Sequence, residues 1–156
     1  MQIQETFTVD APLGAVWQFF ENVERVGRCV PGVQSVSVLD QNRYRVVATQ
    51  KVGFISATFE MVTRVDRKEP MKFMEFSSTG RSVKGAIANV TSRDRVDLEP
   101  LPGGDTRVRL TSEVVVSGML GALGHKAIMA KSREITEKFA QALGTELRSV
   151  SGARPA

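Results

Sequence analysis

Cysteine and histidine are nearly missing from this chain. Its one cysteine, Cys29, has no partner within the 156 residues, which excludes an intrachain disulfide framework and any zinc site built on several thiolates. Its one histidine, His125, excludes the common multi-histidine metal sites. Long apolar runs are absent too. Nothing approaches the ~18 residues of a membrane span, and the N-terminal MQIQETFTVD lacks the basic and apolar regions of a signal peptide. Aromatic residues make up 6%, and the lone Trp17 and Tyr44 stand far apart, leaving little on which nucleic-acid bases could stack. Charge of one sign does not dominate either. Net charge is +4, and Arg43/Arg45, Arg64/Arg67/Lys68, Arg93/Arg95 and Arg107/Arg109 are interspersed with Asp66, Asp94, Asp97 and Glu113. A solvated basic sheet face is therefore expected rather than a nucleic-acid surface. The class left standing is a soluble, cytoplasmic protein of one domain, because this length suits one core and is thin for two.

What the chain does contain is periodicity. Ile3, Phe7 and Val9 share one face of a first strand. Asp10-Ala-Pro12 then reads as a helix start, with Asp10 as its cap and Pro12 in the first turn. A short helix carries Val16, Trp17, Phe19 and Phe20, and a second covers residues 22–28 until Pro31-Gly32 forces a turn. Residues 33–116 read as strand after strand, with turn signals at Asp40 to Asn42, Gly53, Asp66 to Pro70, Thr79-Gly80 and Pro102-Gly-Gly104. In the last strand Val108, Leu110, Ser112, Val114 and Val116 point one way and Arg107, Arg109, Thr111 and Glu113 the other. That alternation suits an antiparallel sheet with one wetted and one covered face.

From about residue 119 to residue 150 the period becomes helical, with Leu120, Leu123, Ile128, Ile135, Phe139, Leu143 and Leu147 on one stripe. The expected fold is α+β: a strongly curved antiparallel sheet of six or seven strands wrapped around one long C-terminal helix, with two short helices after the first strand. This helix-grip arrangement leaves an internal pocket between sheet and helix. Residues 1–150 form the expected domain, and 151–156 (SGARPA) read as a frayed tail.

The segment VWQFFENVERVGRCVPGVQSV, residues 16–36, resembles the signature of the carbon monoxide dehydrogenase G-subunit family. Its most specific part is the Arg28-Cys29-Val30-Pro31-Gly32 turn. KVGFISATFEM (51–61), the Glu69-Pro70 turn, the Gly80 and Gly85 pair, and VVVSGMLGALGHK (114–126) agree with the same family. The broader pattern is similar to the superfamily of START domains, polyketide cyclases and pollen allergens, also called SRPBCC. The resemblance implies a helix-grip domain with a hydrophobic cavity. It also implies a partner, a molybdenum hydroxylase such as carbon monoxide dehydrogenase, together with membrane recruitment of that enzyme or shuttling of a respiratory quinone. The family members that anchor to membrane do so through an extended C-terminal tail. This sequence ends six residues after Val150, so only transient contact with the inner membrane surface is expected.

An apolar ligand needs hydrocarbon walls and a few orienting polar groups. The residues expected to bind it are Tyr44, Phe59, Met61, Met74, Phe76, Ser92, Leu110 and Ser112 from the sheet, and Leu123, Ile128, Ser132 and Ile135 from the helix. Val46, Val90 and Val114 share the inward parity, with Gln50, Thr63 and Asp94 as polar exceptions. Ser92 and Ser112 could meet a quinone carbonyl or satisfy each other. Asp94 could be a pocket acid or half of a strand-edge ion pair. Met61, Met74, Met119 and Met129 would give an adaptable wall. Gly118, Met119, Leu120, Gly121 and Gly124 read either as a loose gate touching the bilayer or as a closely packed turn. Cys29 reads as a small buried hydrophobe. The function expected is non-catalytic binding of a quinone or lipid, with no covalent cofactor. The alternatives are a ligand-free recruitment adaptor, or a cyclase- or hydrolase-like enzyme on the same fold.

Overall fold

The computed structural model describes the backbone over residues 1–150 and side chains over residues 1–148. The tail expected at 151–156 lies outside the described residues. The elements run β1 (Gln2–Val9), α1 (Leu13–Glu21), α2 (Val23–Cys29), β2 (Val33–Val38), β3 (Arg43–Val52), β4 (Ile55–Glu69), β5 (Phe73–Gly85), β6 (Ala88–Pro100), β7 (Thr106–Gly118), a 3-10 turn (Gly121–Leu123) and α3 (His125–Val150). The seven strands form one sheet in the order β1-β7-β6-β5-β4-β3-β2, antiparallel throughout. Only the β1–β7 contact joins strands distant in sequence. It forms because α1 and α2 carry the chain across the open side of the sheet before β2.

Several local expectations give way to tertiary geometry. Pro12 rather than Asp10 sits at the start of α1, and no side chain caps that helix. Asn22 caps α2 by accepting from the Arg25 N–H at 3.2 Å. Thr79-Gly80 is no turn: β5 runs straight through it and the hairpin falls at Ala86-Ile87. Gly80 serves a close approach instead, since a Cβ there would stand 2.4 Å from Met61 Cγ. The long helix begins six residues later than its stripe implied, at His125, after Gly124 takes φ +92° and ends the 3-10 turn.

The covered face of the sheet holds two apolar clusters. One joins Val16, Phe19 and Phe20 of α1 to Phe139, Leu143 and Leu147 of α3 and to Met74, Val96 and Val108 of the sheet. The rings of Phe7, Phe19, Phe20 and Phe139 meet edge-on or tilted at centroid distances of 5.3 to 6.3 Å. The other, smaller cluster joins Ala57, Phe59, Ala88 and Leu120 at the opposite end. On the outer face the arginines are largely paired, as in Arg67–Glu75, Arg95–Asp97 and Arg107–Glu99 at 2.7 to 3.1 Å. These exposed pairs add little stability.

Candidate functional site

Between the two clusters lies a cavity of about 510 Å³, walled by residues of all seven strands, of α1 and α2, and of α3 from Ile128 to Phe139. Antiparallel strands that curve around one helix touch it at its ends and part from it in the middle, so the space follows from the fold. Of the twelve residues expected to bind ligand, Phe59, Met61, Phe76, Leu110, Ser112, Ile128, Ser132 and Ile135 line this cavity. Strand parity and helical period are enough to place them.

The other four lie off the lining. Tyr44 shares a face with Val46, Ala48 and Gln50, yet it sits at the outer end of β3 beside the Asp40–Arg43 turn. Parity fixes the face of a residue and not its depth along the strand. Met74 is 1% exposed and packs in the larger cluster. Ser92 spends its hydroxyl on Asp94 at 2.9 Å. Leu123 is on the 3-10 turn and 38% exposed. Of the four methionines expected in the wall, Met61 alone lines the cavity.

A further wall, formed by Val23, Val26, Gly27 and Val30 of α2 and its end, is absent from the expected lining. Its signal is present in the sequence, since Val23, Val26 and Val30 recur at spacings of three and four on one helical face. Gly27 lets that helix approach the sheet, for a Cβ there would stand 2.4 Å from Val36 Cγ2.

Polar groups in the cavity are few and mostly satisfied. Thr63 and Ser78 share a hydrogen bond of 2.8 Å. The Gln50 amide donates to the Pro31 carbonyl at 2.9 Å, which ties β3 to the turn after α2. Among the described residues Asp94 is the one carboxyl on the lining. It accepts from Ser112 at 2.6 Å and from Ser92 at 2.9 Å. Burial pushes its carboxyl above the usual carboxylate range, against the two seryl bonds that pull it down. The two serines thus satisfy neither each other nor a strand-edge ion pair: they hold an inward acid. Cys29 is buried, and burial foremost, then the nearby Glu146 charge, raises its thiol. A buried thiol held protonated is a poor nucleophile.

The glycines expected to loosen a gate are mostly tight. A Cβ on Gly118 would stand 2.4 Å from the Ile87 carbonyl oxygen, and one on Gly121 2.4 Å from that of Val116. Leu120 is 4% exposed and anchors the turn in the smaller cluster. Only Gly124 borders open space. Met119 and Leu123 point outward at 52% and 38% exposure, beside Phe54 at 104% and Ile87 at 73%. The Met119 N–H donates to the Ile87 carbonyl at 2.8 Å, so these loops form one apolar end of the molecule. Among the described residues no cluster of His, Cys, Asp and Glu could hold a metal ion, and no helix is long and apolar enough to cross a membrane.

The family model for the G subunit of carbon monoxide dehydrogenase (CoxG) matches residues 6–148. No curated protein matches the chain. Among solved structures, a conserved protein from Geobacillus kaustophilus superposes with a TM-score of 0.87 at 15% identity, covering 96% of each chain. A START superfamily protein from Mycobacterium smegmatis gives 0.71 at 15% identity, with 96% of this chain and 98% of that one covered. The Zhui aromatase/cyclase from Streptomyces sp. R1128 gives 0.67 at 18% identity, with 100% and 98% covered. These likenesses speak to the fold, which is of the START/SRPBCC kind.

Proposed function

The chain belongs to the CoxG family, named for the G subunit of carbon monoxide dehydrogenase, and from that premise we propose that it binds an apolar small molecule, a quinone or a lipid, without transforming it. In this reading it serves a molybdenum hydroxylase of the carbon monoxide dehydrogenase type, in the cytoplasm. The observation that carries the reading is the cavity itself. About 510 Å³ of space is lined mainly by hydrocarbon, within the roughly 300–1,000 Å³ of small-molecule sites. Ordinary packed cores leave few voids larger than a water molecule. Binding is favoured over turnover because acid–base chemistry needs a paired donor and acceptor at the reacting atoms. The described lining offers Asp94 without a histidine, and its Lys131 is paired with Glu134 at 3.7 Å.

The test is mass spectrometry of an organic extract of gently purified protein, with native mass spectra of the intact chain before and after adding a quinone in its oxidised and in its reduced form. A stoichiometric quinone or lipid supports the carrier. An empty chain that takes up neither form overturns it and favours an adaptor docking an acidic partner in a salt-sensitive way.

Loading from a bilayer has its own support. Segments 50–58, 82–90 and 115–127 contain Lys51, Lys84, Lys126 and His125 but none of the 17 Asp and Glu residues. They frame the exposed Phe54, Ile87, Met119 and Leu123. An apolar tip ringed by lysines suits an anionic lipid surface. Co-sedimentation with vesicles containing phosphatidylglycerol, lost in Phe54→Ser and Ile87→Ser, supports that contact; binding unaffected by both substitutions removes it.

A further inference from the structure

The polar cluster of the cavity is chemically one-sided. Asp94 Oδ1 accepts from Ser112 at 2.6 Å and Oδ2 from Ser92 at 2.9 Å. A seryl hydroxyl has a single proton to give, and both are given to the carboxylate. With Asp94 ionised, the cluster therefore keeps acceptor lone pairs and has no proton left to offer. A carboxylate has about four acceptor sites, of which the serines take two.

Neighbouring cations leave those remaining sites open. The guanidinium of Arg95, next in sequence, bonds Glu75 at 2.9 Å and Asp97 at 3.0 Å and lies 4.1 Å over the Phe73 ring. Lys131, on the helix side of the cavity, is paired with Glu134. Asp94 has no ion pair among the described residues. A carboxylate with spare acceptor capacity and no cation thus lines a cavity whose other walls are mainly hydrocarbon.

We propose that Asp94, held in place by Ser92 and Ser112, selects an apolar ligand whose polar end donates a hydrogen bond, a phenolic or alcoholic hydroxyl, over one whose polar end only accepts. The preference follows from what each head group does to the carboxylate. A hydroxyl replaces the solvation that Asp94 loses when the cavity fills, through a charge-assisted hydrogen bond. An ether or ketone of the same shape excludes water and gives nothing back, and it sets lone pair against lone pair. Burial already raises the Asp94 carboxyl before any ligand enters, so a further apolar wall deepens the penalty unless a donor relieves it. The inference rests on the cavity being a ligand site and narrows that reading: of a quinone it takes the reduced form, whose hydroxyls donate, ahead of the oxidised form, whose carbonyls only accept.

The probes are 4-heptylphenol and its methyl ether, 4-heptylanisole, which share the apolar body and differ in the hydroxyl proton. Their affinities for the full chain are measured by calorimetry near neutral pH. The phenol should bind at least about tenfold more tightly, the scale of a hydrogen bond to a charged group. In Asp94→Leu the preference should vanish while the ether still binds. Asp94→Asn keeps a polar side chain in case the leucine variant folds poorly, and should cut the preference to within about threefold. Equal affinities of the two probes for the unaltered chain overturn the proposal and leave the cavity reading in place. Binding of neither probe overturns both. A preference that survives in Asp94→Asn and Asp94→Leu assigns the selection to another group and also overturns it.

Discussion

Replacing Asp94 with asparagine should make the protein more stable at neutral pH and remove a component of its pH dependence. The carboxyl lines an apolar cavity, and burial, the largest influence on it, raises its pKa; the Ser112 and Ser92 hydroxyls oppose that from 2.6 and 2.9 Å. A raised folded-state pKa means that the native state holds this proton more tightly than the unfolded chain does. Its stabilising effect is therefore complete below the unfolded aspartate pKa. It is lost as pH rises through the raised native value, after which the difference stays constant. Lys131 on the cavity wall is engaged by Glu134, and the Arg95 guanidinium on the outer face by Glu75 and Asp97, so neither cancels the effect. Inside the window one proton difference corresponds to at most about 1.4 kcal/mol per pH unit. For a chain of this size that is on the order of 3–5 °C in Tm per pH unit. Asparagine keeps both contacts, accepting from Ser112 and donating to Ser92, and has no charge to desolvate. Thermal melts of the two proteins from about pH 4 to about pH 8 give the answer. The Tm advantage of Asp94→Asn should grow from acid to neutral pH and then level off. Parallel curves, or an advantage that shrinks as pH rises, would refute a native carboxyl shifted upward by burial.

Gly32→Ala should destabilise by at least about 2 kcal/mol in urea unfolding, more than most surface changes. The position has φ +86°, and the added Cβ would lie 2.3 Å from the Thr49 carbonyl oxygen. Phe54→Ser should move stability by less than about 0.5 kcal/mol in the same assay, because the ring is fully exposed. Cys29, buried and with its thiol raised, should react with iodoacetamide far more slowly in the native protein than in urea; equal rates would place it at the surface. Ser132→Trp, on the helical wall of the cavity, should abolish quinone uptake in native mass spectra while the melting transition stays cooperative.

Most of the architecture is legible because it is written in short-range periodicity. Alternation in 107–116 places Leu110 and Ser112 inward, and the helical stripe places Ile128 and Ile135 opposite them, so residues from both walls of the cavity follow from the sequence alone. What periodicity does not carry is depth. Tyr44 and Met74 obey the same parity as true lining residues, yet one stands past the cavity and the other packs in the larger apolar cluster. The glycines mislead for a related reason. Gly80 and Gly121 carry no positive φ, and their need is a backbone or side chain brought close by a neighbouring strand or turn. Sequence spacing is silent about such approaches. Asp94 stays ambiguous in the sequence because its partners are Ser92, two residues away, and Ser112, its register partner on β7. The first is close in sequence, but the second depends on the strand pairing.

Two features that weaken a fold occupy the same place in this one. The space between the clusters forgoes the dispersion contacts that a packed core would make, and the carboxyl beside it is held where burial disfavours its charge. Either could be removed by a single substitution, a larger side chain at Ser132 or an amide at position 94. One event relieves both at once: entry of an apolar body that fills the space while its hydroxyl meets Asp94. A ligand of that kind binds the folded chain alone and stabilises it in proportion to the logarithm of its concentration over Kd. In unaltered protein 4-heptylphenol should therefore raise Tm more than 4-heptylanisole does. In Asp94→Asn, which already lacks the charge penalty, the two compounds should raise Tm nearly alike. Equal shifts in the unaltered chain would mean that the open space and the strained carboxyl are neighbours by accident.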